Sequence, residues 1–111
     1  MKSVDLLTEL LEIYRKHGWQ LRSVLLRPET RAELQSQFPV EVPVREAEVD
    51  ALWFSRPSHD NREAWELRLL AQTQYALFET FEADETEEER DDLKLEMEAR
   101  MRDYLAADKR E

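Results

Sequence analysis

The densest run of chemically capable side chains is Ser55, Arg56, Pro57, Ser58, His59, Asp60, Asn61 and Arg62. Ser58, His59 and Asp60 place a hydroxyl, an imidazole and a carboxylate in consecutive positions. A nucleophile, its base and the acid that orients the base must converge in space, which neighbours along a turning chain do not. The run instead has the Pro, Ser, Asp and Asn content of an exposed turn. It predicts a polar loop, and no catalytic residue is assigned. What remains is binding. Arg56 can grip an anion through its guanidinium fork, and His59 can exchange a proton near neutral pH. Arg68, further along, can add a second positive contact. Arg56, His59 and Arg68 are the ligand-binding candidates, with an expected pocket beside residues 56–62.

Other chemistries are excluded by what the chain lacks. There is no cysteine, so disulfides, thiolate zinc sites and cysteine nucleophiles fall together. Gly18 is the single glycine. Phosphate cradles and dinucleotide folds need several glycines for close backbone approach, so no nucleotide cofactor is expected, nor any other. His17 and His59 are too far apart in sequence for a metal-ligand motif. Nine acids crowd residues 79–92, but without the turn glycine of a calcium loop. They read as the solvated start of a helix, and no metal site is expected.

The net charge is −10. Nucleic-acid binding needs a basic footprint to displace phosphate counterions, and anionic membranes repel the same charge. Neither is an expected partner. Residues 79–111 carry 14 acids against 6 bases, so most of the charge belongs to the C-terminal third. Asp5, Glu9 and Glu12 interrupt the apolar stretch near the start, as no secretory leader would allow. The longest apolar runs, such as Ala51 to Phe54, are four residues, far short of a membrane span. A cytoplasmic protein of one domain, residues 1–111, is expected.

Helices and strands must carry these residues. Ser3 can cap a helix over 3–17, whose apolar residues fill half its circumference. Gly18 suits its C-terminal stop. Residues 19–27 read as a strand with Trp19, Leu21 and Leu25 on one face. Pro28 opens a short helix over 28–37, and the Pro43-containing segment 40–44 reads as an extended link. Further strands are expected at 47–56, 64–71 and 75–82, with a turn at 72–74. Thr86 and Glu89 form a capping-box pattern before a helix over 87–107, with Lys109 and Arg110 just past its end. The expected fold is α+β. Its four-stranded, mainly antiparallel sheet has the first and last helices packed on one face, in the order α-β-α-β-β-β-α.

On that phasing Trp19, Trp53 and Trp65 share the covered face. The other face holds Leu52, Phe54, Leu70 and Phe78 among charged residues, too greasy for a wet surface. Something should cover part of it. One candidate is the chain's own short helix over 28–37 with the 40–44 link; the other is a second copy of the chain, since two-fold dimers are the commonest oligomers. Leu52, Phe54, Leu70 and Phe78 are therefore the interaction-surface candidates. The protein is read as a non-enzymatic interaction module, a homodimer or a chaperone-like adaptor. The alternative is a small enzyme or anion-binding protein with its pocket beside the 56–62 loop.

Overall fold

The computed structural model describes residues 3–109, with the side chains of Ser3, Asp108 and Lys109 set aside. The expected Ser3 cap and the Lys109–Arg110 pair thus lie outside what is described. The fold is α+β. In chain order its elements are α1 (Ser3–Lys16), β1 (Gln20–Leu26), α2 (Pro28–Leu34), β2 (Val44–Glu46), β3 (Ala51–Pro57), β4 (Glu63–Leu69), β5 (Ala76–Phe81) and α3 (Glu87–Lys109). Short 3₁₀ turns follow α2 and link β3 to β4.

The helix boundaries follow from local chemistry. Gly18 has φ +83° and donates its N–H to the Arg15 carbonyl (3.0 Å). This left-handed stop costs a glycine nothing. At the start of α3 the Glu89 N–H donates to Thr86 Oγ1 (3.1 Å), and the Thr86 N–H donates to Glu89 Oε1 (2.9 Å). The reciprocal pair satisfies two otherwise orphaned donors. It also holds the Glu89 carboxyl below its ordinary range.

The sheet has five strands in the order β2-β1-β3-β4-β5. It is mixed. β1 and β2 are parallel, joined across α2, and the other neighbours are antiparallel. The expected four-stranded sheet is thus one strand short. The missing strand is β2, hidden because Pro43 precedes it and it is only three residues long. Proline is tolerated at an edge, and here the Pro43 carbonyl accepts the Val24 N–H (2.9 Å).

The two long helices lie on opposite faces, against the expectation of one shared face. One core layer joins Trp53, Trp65, Leu67, Leu69 and Phe81 to Met97 and Met101 of α3. The other joins Leu52, Phe54, Val24 and Leu26 to Leu7, Leu10 and Tyr14 of α1, with Leu34 of α2. The phases of β3 and β4 were readable, but that of β1 was not. A β-bulge falls between Leu21 and Ser23, where Leu21 pairs with Phe54 and Ser23 with Trp53. The extra residue, Arg22, shifts the alternation by one. Trp19 and Leu21 therefore join the α1 side, and Leu25 joins the α3 side.

This corrects the binding-surface reading. Leu52, Phe54 and Leu70 are buried beneath the chain's own α1 and α2. Tyr14 stacks on Phe54 with ring centroids 4.0 Å apart, and its hydroxyl donates to Glu66. Burial, then the Glu66 carboxylate, push the Tyr14 phenol well above its ordinary pKa. Each large side chain sealed here contributes about 1.5–3 kcal/mol, which is why the face needs no second chain. Phe78 alone of the four stays open, at 58% exposure.

α2 is fixed by a buried acid. Asp50 accepts hydrogen bonds from the Arg27 N–H (2.8 Å), Arg27 Nη2 (2.9 Å) and Thr30 Oγ1 (2.8 Å). A carboxylate from the end of a loop thus ties down Arg27 and Thr30 at the start of the crossover helix that carries the chain from β1 to β2.

Candidate functional site

The loop singled out from sequence forms a tight β3–β4 connection. Asp60 (φ 57°) and Asn61 (φ 62°) take left-handed backbone, which these two residue types tolerate. His59 is exposed there. Arg56 is already engaged, donating from Nη1 to the His17 carbonyl (2.6 Å) and lying 4.9 Å from the Trp19 ring centroid. Arg56 and His59 share a shallow open hollow with His17, Gly18 and Phe78. Arg68 is elsewhere. It sits opposite Leu52, at the far end of the hairpin from Arg56, which sits opposite Ala64. Its Nε donates to the Leu69 carbonyl (3.2 Å). Two of the three candidates are therefore brought together, around a hollow whose main cation is occupied.

A second surface runs along β5, the last strand of the sheet. The Leu69 N–H donates to the Tyr75 carbonyl (3.0 Å), which sets the parity of the ladder. The Tyr75 carbonyl and the backbone groups of Leu77, Glu79 and Phe81 turn toward β4, while the Tyr75 N–H donates to the Thr73 carbonyl (3.0 Å). Ala76, Phe78 and Thr80 turn theirs to the open edge. On the side chains, Leu77 and Phe81 are buried against α3 while Ala76 and Phe78 are exposed. The Phe78 ring meets Trp19 edge-on at 6.3 Å, and Ile13 is exposed on the α1 side of the sheet. The strand contains one charged residue, Glu79, and no proline.

A third region is a cleft of about 460 Å³ between α3 and the bulged half of β1. Its floor is Trp53 and Trp65, whose rings meet edge-on at 6.0 Å. Arg22, Arg45 and Lys94 bring three cations to it, with Asp91 and Glu98 as carboxylates. Glu98 is engaged through one oxygen, Oε2, which accepts from Trp53 Nε1 (2.8 Å) and from Arg45 Nη2 (2.7 Å). Lys94 Nζ lies 3.5 Å from the Trp65 ring centroid, and the Arg22 guanidinium carbon lies 5.8 Å from it. Burial holds the Lys94 amine below its ordinary pKa, against the pull of Asp91 and Glu63.

Sequence reading missed this cleft, although part of it was visible. Arg90, Lys94, Met97 and Met101 follow one another at helical spacing on one face of α3. A lysine in the line of a core stripe was the available signal. Arg22 gave none, because its placement depends on the bulge.

Among the described residues no group of three or more His, Asp or Glu could hold a metal ion, and no helix is long and apolar enough to cross a membrane. Comparisons with protein-family models, with curated proteins and with solved structures find no match.

Proposed function

We propose that the chain is a non-enzymatic protein-interaction module that works as a homodimer, joined edge to edge along β5. The observation that carries this reading is the undefended edge. Edge strands in soluble proteins are ordinarily blunted by charge, proline, bulges or brevity. β5 has six residues, one charge, no proline and a phenylalanine at 58% exposure. Such an edge is a template for another strand.

A second copy fits it. The open backbone groups belong to Ala76, Phe78 and Thr80. A two-fold antiparallel pairing centred on Phe78 sets each Phe78 against the partner's Phe78, and Thr80 against the partner's Ala76. Glu79 then faces the partner's Leu77, and Glu82 faces the partner's Gln74. No like charges lie directly opposite, which in a chain of net charge −10 is the condition self-pairing must meet. The paired phenylalanines extend an apolar strip that already includes Trp19. Ten strands would then run as one sheet.

The alternative, an anion-binding or catalytic pocket beside the 56–62 loop, has less to support it, because Arg56 is held by the His17 carbonyl and the Trp19 ring. Light scattering on the full chain at tens of micromolar tests the proposal. The expected mass is twice that of one chain. A monomer at that concentration overturns it.

A further inference from the structure

We propose that the cleft over Trp53 and Trp65 is a binding site for a small organic monocarboxylate with an apolar body, separate from the β5 edge. Three observations converge on it.

The first is two cations outside every ion pair. The chain has 26 acidic residues for 16 lysines and arginines, so carboxylate partners are abundant. Yet among the described residues neither Arg22 nor Lys94 makes an ion pair. Both instead converge on one indole, Trp65. A half-buried ammonium whose nearby carboxylates, Asp91 and Glu63, stay beyond ion-pair distance is costly, and the face of a tryptophan offsets part of that cost. Both cations keep hydrogen-bonding capacity directed at the cleft.

The second is the sign and size of the charge. Arg22, Arg45 and Lys94 face Asp91 and Glu98 in the lining, which leaves one positive charge over. The neighbouring hollow, toward the start of α3, adds Glu85 and Glu87 beside Arg90. Counted with Arg90, those acids cancel the surplus, which opposes a doubly charged phosphate more strongly than a single negative charge.

The third is shape and apolar surface. The volume, about 460 Å³, lies within the range of small-ligand sites. Trp53 and Trp65 floor it. Leu95, 60% exposed on α3, stands at its rim. The bulge turns both Arg22 and Ser23 into this cleft, where regular alternation would point only one of them inward. β2 pairs only with Val24, Leu25 and Leu26, so the bulged half of β1 stays open beside the cleft. A carboxylate head between Arg22, Lys94 and the Ser23 hydroxyl would leave its tail on the indoles and Leu95.

The test uses the three indole N–H signals of the full chain in ¹H–¹⁵N NMR spectra, titrated with sodium hexanoate. The expected result is saturable movement of the Trp53 and Trp65 signals. Trp19 lies on the opposite face of the sheet and should stay still, which makes it an internal control. The neutral isostere 1-hexanol should give no saturable shift. Arg22→Gln and Lys94→Gln should each weaken hexanoate by about tenfold, the scale of one charge-assisted hydrogen bond. Arg22 is exposed, so its variant keeps the fold even if the Lys94 variant does not. Several results would overturn the assignment. They are no saturation with hexanoate, equal response to hexanol, an unchanged Arg22→Gln titration, or inorganic phosphate binding more tightly than hexanoate.

Discussion

The two edges of the sheet are built in opposite ways. β2 is three residues long, follows Pro43, and carries Arg45 and Glu46. It is an edge too short and too charged to recruit another strand. β5 is twice as long, has Glu79 as its one charge, and sets Phe78 in solvent. Both belong to one sheet and one chain, so composition at large does not explain the contrast. The contrast puts one exposed aromatic, Phe78, on an edge where backbone and side chain can both be satisfied by one strand. The two faces, by contrast, are closed from within by α1 and α2 on one side and α3 on the other.

The largest expected effect comes from undoing the defended side. Asp50 holds the crossover that brings β2 beside β1. Asp50→Ala should destabilise the chain by about 2–4 kcal/mol in urea unfolding, since it leaves the Thr30 hydroxyl buried and unpaired. The residual folded protein should keep its dimer constant, because β5 is untouched.

Next comes Phe78→Glu. It should weaken self-association by at least about 2 kcal/mol, the scale of a central interface aromatic, and add like charges across the two-fold axis. Sedimentation equilibrium measures it. Unfolding at a dilution where the chain is monomeric should change little, because Phe78 is exposed there.

Thr80→Pro is more selective. The Thr80 N–H points to the open edge, so proline removes no bond of the protomer's own ladder. It should cost the dimer about 1–3 kcal/mol through two symmetry-related hydrogen bonds. The same substitution at Glu79, whose N–H faces β4, should instead unfold the strand. That opposite response, read by circular dichroism, checks the parity of the edge.

The smallest effect is that of salt. Two chains of charge −10 repel one another. Raising ionic strength from about 0.05 M to about 0.5 M shortens the screening length about threefold. The dimer should tighten severalfold. A contact held by ion pairs would loosen instead.

Much of this was readable before the structure. The capping box at Thr86 and Glu89, the stop at Gly18 and the shared phase of Trp53 and Trp65 each rest on a local rule, and local rules act within a turn or a strand. Three features were not readable, and each depends on contacts distant in sequence. The bulge at Arg22 exists only against β3, and it moved Trp19 to the opposite face from Trp53 and Trp65. β2 forms only because β1 offers a partner to a segment with no strand signal of its own. The burial of Leu52, Phe54 and Leu70 follows from the side on which α1 packs, and a wide apolar stripe on α1 does not specify a side. Those three residues were right as greasy positions and wrong as an open surface. Of the expected ligand contacts, Arg56 and His59 do meet at one hollow, but Arg68 sits at the far end of its hairpin. The cations of the tryptophan cleft come from three separate elements.

Amide hydrogen exchange along β5, followed by NMR at high and low protein concentration, reads the proposed pairing atom by atom. Leu77 and Glu79 bond to β4 and should be protected at both concentrations. Ala76, Phe78 and Thr80 should be protected when the chain is concentrated and should exchange freely on dilution. If Phe78 and Thr80 exchange freely in a solution that light scattering shows to be dimeric, the chains meet somewhere other than this edge.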